Sequence, residues 1–466
     1  MLAMGTSSAE VLVTLDRSRP RGLRSQIEDE LREAIRSGRL AVGAAVPSTR
    51  ALAGDLGVTR GVVVEAYDQL IAEGYLLARP GARTVVDARA GRVPARAAVA
   101  AAATGPAVEV DFRPGLPDLS LFPRAAWGRA TRAALATLPD DQLGYGDPQG
   151  LPALRAALAD HLGRVRGVCA DADQVVVCES FGSGFALVAR ALGGPVAVED
   201  PGYDGPREIL DALGVPWRGV PVDADGLVVD ALRRTSARAV VVTPAHQSPT
   251  GVVLGAERRR QLVAWAADVD GLVVEDDYDA EYRYDRRPVG ALQGVDPERV
   301  VYCGTLSKSL APGLRLGWLV VPRRLVAPIV AARRVGSGTG SAITQATFAA
   351  FLAAGDLDRH LRRARRTYRE RRDALVDALA RHLPQLEPTG VAAGLNVLVH
   401  LPPGSDEAAL AAAALAAGVR VYPLSNGYRI TPGSYPTPSW LLGYGTVPPD
   451  RSEHGVHLLA AALDGW

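Results

Sequence analysis

Leu23, Ile27, Leu31 and Ile35 recur every four positions with charged residues between them, the spacing of a helix with one buried face. Pro47-Ser48 then offers an N-cap serine for a short second helix, with Leu52 and Leu56 on its buried side and Gly57 at its end. Thr59 caps a third helix whose apolar positions, Val63, Ala66, Tyr67, Leu70 and Ile71, again trace a single stripe, and Gly74 stops it. Two short extended pieces follow, Tyr75 to Leu77 and Thr84 to Val86, joined by a turn at Arg79-Pro80-Gly81-Ala82. Three helices with a tight glycine turn and a two-stranded wing predict a winged helix-turn-helix over residues 11–88. That arrangement lays the third helix in the major groove of DNA. The competing reading is a helical interaction module without DNA.

The pattern then lapses. Ala88 to Ala107 holds ten alanines in twenty residues, three arginines, two prolines and no acid. With no periodic apolar face it has little to bury, so residues 89–108 read as a linker. Beyond it the apolar runs shorten and become continuous. Val175 to Val177, Leu272 to Glu275 and Val300 to Cys303 read as buried strands, and a helical run begins near Phe185. Residues 109–466 are expected to form an α/β domain with a smaller α+β C-terminal subdomain from about residue 355. Within it, Arg359 to Arg372 holds eight arginines in fourteen residues, with Leu357, Leu361, Ala364 and Tyr368 as a buried stripe. One solvated helix face explains that run, and a DNA-backbone contact is the alternative.

Charge and composition narrow the classes. The chain of 466 residues has a net charge of +1, and its N-terminal helices balance arginines against acids. DNA binding would then depend on arginines gathered on one face, not on net charge. No apolar run is long enough to span a membrane, and no leader pattern is present, so a cytoplasmic protein is expected. Cys169, Cys178 and Cys303 are scattered and form neither a disulfide framework nor a metal motif.

Lys308 is the only lysine; the other 51 basic residues are arginines. Arginine replaces lysine in most surface roles, but it does not give up its proton, whereas a lysine amine can be tuned to do so. Chance survival would explain a single lysine, and so would a nucleophilic amine that forms an imine with a carbonyl. Its surroundings favour the second. Asp276 lies some thirty residues upstream at the end of a predicted strand. An acid that keeps a pyridine nitrogen protonated and a lysine that takes the aldehyde are what pyridoxal phosphate requires. Ser180-Phe181-Gly182-Ser183-Gly184, between a strand and a helix, is the kind of small-residue loop whose amides hold a phosphate.

Residues from about 109 to 466 resemble the fold type I aminotransferases. The matching segments are Tyr145-Gly146-Asp147-Pro148-Gln149-Gly150, Glu199-Asp200-Pro201-Gly202-Tyr203, Thr243 to Gly251 with its Pro249-Thr250-Gly251 turn, and Ser307 to Trp318. The resemblance implies that Lys308 bonds the cofactor aldehyde, Asp276 pairs with the pyridine nitrogen and Tyr278 bonds the ring hydroxyl. Tyr203 would lie near the ring. Thr305, Ser307 and Arg315 would join Gly182, Ser183 and Gly184 around the phosphate, and Tyr145 would reach the phosphate of the neighbouring subunit. Two positions depart from the family's enzymes. Ser248 stands where an asparagine usually bonds the ring hydroxyl. Leu441 stands where an arginine usually forks onto the substrate carboxylate, a role leucine cannot fill. Arg429 is near enough in sequence to be weighed as a substitute.

The N-terminal segment is similar to the GntR-family DNA-binding domain through Ser48-Thr49-Arg50-Ala51-Leu52-Ala53 and Leu56-Gly57-Val58-Thr59-Arg60. That likeness implies phosphate or base contacts from Ser48, Thr49, Arg50, Thr59 and Arg60, with Gly61 and Val64 on the exposed face of the third helix. Gly81 and Arg83 would sit in the wing. Together the two parts resemble the MocR subfamily of bacterial regulators. This implies an operator DNA partner, pyridoxal phosphate or its amino-acid adduct as effector, no metal, and a head-to-tail, domain-swapped homodimer. Leu441 leans toward the branch that controls vitamin B6 synthesis. The rival classes are a working aminotransferase with a DNA-binding head and a cofactor carrier, which would leave the winged helix unexplained.

Overall fold

The computed structural model describes residues 13–18, 22–78, 82–87, 108–284, 289–336, 340–431 and 433–463. The chain divides into two compact units, residues 1–104 and 105–466.

In the first unit, α1 (Leu23–Arg36) buries Ile27, Leu31 and Ile35 against α2 (Thr49–Leu56) and α3 (Arg60–Ala72). The Ser48 hydroxyl accepts the Ala51 amide at the start of α2, and Gly57 ends that helix in the left-handed conformation, which glycine adopts at little cost. Leu56, expected inside, is half-buried; Ala53 fills the inner position instead, one turn below Gly57. Thr59 occupies the N-cap of α3, but its hydroxyl makes no capping bond. The wing strands β1 (Leu76–Leu77) and β2 (Val85–Val86) pair antiparallel, and Ala45 bridges to Val85. The expected wing turn at Arg79-Pro80-Gly81 lies outside the described residues.

The second unit opens with β3 (Val110–Asp111) and then builds an eight-stranded sheet. Its strands are β4 (Val175–Cys178), β5 (Val196–Asp200), β6 (Trp217–Asp223), β7 (Gly226–Leu227), β8 (Ala239–Val242), β9 (Leu272–Asp277), β10 (Val300–Thr305) and β11 (Gly317–Val320). The order is β4-β11-β10-β9-β8-β5-β6-β7, parallel from β10 to β6, with β11 antiparallel to both its neighbours. Strands β4, β5, β8, β9, β10 and β11 are buried along their whole length, as a sheet covered on both faces requires. The sequence order of the strands reverses between β5 and β8. Ligands bind at such a switch point, outside the C-terminal ends of the strands.

A four-stranded antiparallel sheet follows, in the order β12 (Glu387–Thr389), β13 (Asn396–His400), β16 (Ser439–Gly443) and β15 (Tyr422–Pro423). Beside it, β14 (Val419–Arg420) pairs in parallel with β3. The start of the second unit is thus bound into its C-terminal part, which the sequence did not predict. The approach is tight: a Cβ at Gly443 would stand 2.0 Å from the Arg113 carbonyl oxygen. The arginine-rich run lies on the helix Asp356–His382, where not all of it faces water. Arg371 is buried and paired with Asp118 at 2.6 Å, and Arg365 and Arg369 bond the main-chain oxygens of Glu281 and Tyr284.

Candidate cofactor cavity and DNA-facing surface

A cavity of about 360 Å³ opens at the switch point. Each strand that ends there delivers polar side chains: Asp276 at the end of β9, Thr305 and then Lys308 after β10, Thr243 and Ser248 after β8. Lys308 Nζ donates to the Gly115 carbonyl at 2.6 Å. Burial lowers the affinity of this amine for its proton, and the carboxylates of Asp279 and Asp276 oppose that. Asp276 is 7 % exposed, and its Oδ1 has no hydrogen-bond partner among the described residues. Burial raises its pKa well above the usual carboxylate range; repulsion from Asp277 and Asp279 adds to this, and Lys308 opposes it. A buried acceptor left open in this way calls for a donor from a ligand, and a protonated ring nitrogen supplies one.

The Gly/Ser segment after β4 differs from the expectation. The helix after β4 begins at Phe181, not near Phe185, because Ser180 and Ser183 form a reciprocal capping box. The Ser183 hydroxyl accepts the amides of Glu179 and Ser180, and the Ser183 amide donates to Ser180 Oγ at 3.2 Å. Gly184 faces the sheet, where a Cβ would meet Leu319 at 2.9 Å. Neither Ser183 nor Gly184 lines the cavity; Ser180, Phe181 and Gly182 do. The amides of Phe181 and Gly182, at the first positions of a twelve-residue helix, are therefore the anion-binding groups this terminus offers. Thr305, Ser307 and Arg315 line the cavity as well, with Thr305 Oγ1 donating to Ser307 Oγ at 2.9 Å. Arg315 has φ +50°, a left-handed conformation that a non-glycine residue rarely adopts.

Tyr203 and Tyr278 line the same cavity. The Tyr278 hydroxyl donates to the His246 main-chain oxygen at 3.1 Å. Behind Ser248, Glu199 accepts Thr243 Oγ1 at 2.6 Å and Gln247 Nε2 at 3.2 Å. Burial pushes the Glu199 carboxyl up to about 7 despite these bonds. Sequence reasoning passed over Glu199 and His246, which carry no local signal beyond lying inside matched segments. Tyr145 is 98 % exposed and does not line this chain's cavity.

Leu441 on β16 lines the cavity, packed with Leu398 and Leu424, and Asn396 on the neighbouring strand β13 and Tyr428 line it as well. Arg429 does not replace the missing cation. Its Nη2 is held by Glu407 and by the Thr437 carbonyl, both at 2.6 Å, and it does not line the cavity.

In the first unit, Ser48, Arg50, Thr59, Arg60 and Gly61 are exposed, and Thr49 and Val64 are half-buried. Arg60 Nε reaches Thr49 Oγ1 at 3.3 Å, which brings the starts of α2 and α3 together. Arg83, beside the wing strand β2, is exposed; Gly81 lies outside the described residues.

The family model for aminotransferases of class I and II matches residues 119–441, and that for bacterial regulatory proteins of the gntR family matches residues 23–86. The probable rhizopine catabolism regulatory protein MocR of Rhizobium meliloti is 34% identical, over 97% of this chain and 96% of its own length. The HTH-type pyridoxine biosynthesis transcriptional regulator PdxR of Corynebacterium glutamicum is 35% identical, over 84% of this chain and 86% of its own. Among solved structures, a multiple substrate aminotransferase from Thermococcus profundus matches with a TM-score of 0.70 at 27% identity, over 76% of this chain and 91% of that one. A GntR-type helix-turn-helix joined to a fold type I unit built to hold pyridoxal phosphate places this chain in the MocR subfamily of HTH-type transcriptional regulators.

Proposed function

We propose that the chain is a cytoplasmic regulator whose affinity for operator DNA changes with pyridoxal phosphate in its second unit, and that it controls vitamin B6 or amino-acid metabolism genes. One observation carries this reading. The cavity has the groups for the cofactor, while Leu441 lines it where a carboxylate clamp would stand and Arg429 is engaged with Glu407. When bound, the cofactor supplies an aldehyde that takes an amine and a ring that withdraws electrons. On this reading Lys308 is the amine, Asp276 holds the proton on the ring nitrogen, and Tyr203 and Tyr278 contact the ring. Thr305, Ser307, Arg315 and the amides of Phe181 and Gly182 hold the phosphate. Ser183 and Gly184 support that helix end from outside the cavity.

The winged unit would contact DNA through Ser48, Thr49, Arg50, Thr59 and Arg60, with Gly61 and Val64 allowing close approach and Gly81 and Arg83 in the wing. The exposure of Tyr145 supports a homodimer in which it enters the neighbouring subunit's site, with the heads exchanged. The relatives named for pyridoxine biosynthesis and rhizopine catabolism set two alternatives for the target genes, and Leu441 favours the first.

The test is a binding titration of the full chain on DNA from upstream of its own gene, with and without pyridoxal phosphate. The expected shift in affinity corresponds to a coupling of about 1–3 kcal/mol. Turnover with alanine, aspartate, glutamate or GABA should be far below the ~1 per second typical of enzymes, since an unclamped substrate loses its orientation. Enzyme-like turnover with no cofactor effect on DNA binding would establish the aminotransferase reading instead.

A further inference from the structure

Behind the cavity lies a buried pair that the cofactor assignment does not use. His246 Nδ1 stands 2.9 Å from Asp279 Oδ2, and the two residues are 3 % and 2 % exposed. The Tyr278 hydroxyl lies 3.3 Å from the same Nδ1 while it donates to the His246 main-chain oxygen. The three groups therefore form a chain that runs from the cavity wall inward. The backbone makes room for it: Gly394 has φ +72°, and a Cβ there would stand 2.4 Å from His246 Cε1 and 2.5 Å from Asp279 Oδ2. Any side chain at Gly394 would break the pair.

We propose that His246 and Asp279 are positioning residues of the cofactor cavity: Asp279 fixes the His246 ring, His246 fixes the Tyr278 hydroxyl, and the pair thereby sets the charge and the proton that the cavity presents to a bound cofactor. A carboxylate can only accept, so Asp279 holds the proton of His246 on Nδ1. That leaves the Tyr278 oxygen against an N–H group and its own proton tied to the His246 carbonyl. The hydroxyl is then aimed, and its remaining lone pair can accept the proton of the ring hydroxyl of a ligand. The Asp279 charge also reaches the cavity directly. It opposes the effect of burial on Lys308, and it adds to the rise of Asp276 and Tyr278. Glu281, Tyr282, Tyr284 and Tyr444 share the same field from behind.

The experiment is a pH titration of the cofactor's visible absorbance in the full chain loaded with pyridoxal phosphate, read alongside the cofactor Kd. Asp279→Asn has the same shape and removes one negative charge. It should lower the midpoint by about one pH unit or more, because the positively charged nitrogen at Lys308 loses a stabilising neighbour. His246→Leu should also shift the midpoint, whereas His246→Asn, which keeps a donor near the Nδ1 position, should hold it within a few tenths of a unit of wild type. Unchanged midpoints in Asp279→Asn and His246→Leu would overturn the proposal. If His246→Leu does not fold, Asp279→Asn decides alone, and a wild-type midpoint there is sufficient to overturn it.

Discussion

The surface proposed for DNA and the cofactor cavity are built on opposite principles. Around α2 and α3 the polar side chains are exposed and loosely bonded, with Arg60 making one contact to Thr49 and Arg50 open to water. Around β9 and β10 the polar groups are buried, and most are held by several bonds. The difference follows from the ligands. A polyanion is met at a surface, where its counterions are released and long cations adapt to it. A small ring with one reactive carbon needs its partners fixed and dry before it arrives. Exposed groups are therefore expected to fail gradually when removed, and buried ones all at once.

The largest effect tests the buried side. Lys308→Arg keeps a cation but cannot bond the aldehyde, so borohydride should leave no cofactor attached to the protein, where wild type retains it in one peptide. Covalent retention in the variant at a site other than the α-amine would remove the central assignment. A smaller effect tests the place of Arg429 outside the cavity. Arg429→Ala leaves Glu407 buried with only the amides of Ser425 and Ser439, and should destabilise the second unit by about 3 kcal/mol, the lower end for breaking a buried pair. Cofactor affinity in the folded variant should be unchanged; a large loss measured by absorbance titration would return Arg429 to the cavity. The smallest effects test the exposed side. Arg60→Ala should cost about 1–3 kcal/mol on operator DNA and relax sequence preference, if it reads a base edge. Arg50→Ala should weaken all sequences alike and flatten the salt dependence. Unchanged discrimination in both variants would show that neither residue is the base-reading one.

What the sequence disclosed follows the same division. The helices of the first unit were legible because each has its own stripe and cap: Ile27, Leu31 and Ile35 in α1, Ser48 and Gly57 around α2. Lys308 and Asp276 stood out because their chemistry fixes their residue types. The start of the helix at Phe181 was misplaced because two glycines read as loop, while the deciding signal was the reciprocal serine pair Ser180 and Ser183. Arg429, the pairing of β3 with β14, and His246 with Asp279 depend on contacts between distant parts of the chain. No spacing or period encodes those partners, so only the folded chain reveals them.

The solitary lysine has one more consequence, for proteolysis. An endoprotease specific for lysine has a single bond to cut, between Lys308 and Ser309, and Ser309 is buried beside β10. Cleavage there yields two fragments only when the second unit opens, so the rate of appearance of those fragments counts openings of one site without any label. Pyridoxal phosphate bonded to the Lys308 amine should suppress the cut beyond any effect on opening, because it masks the cation that the protease reads.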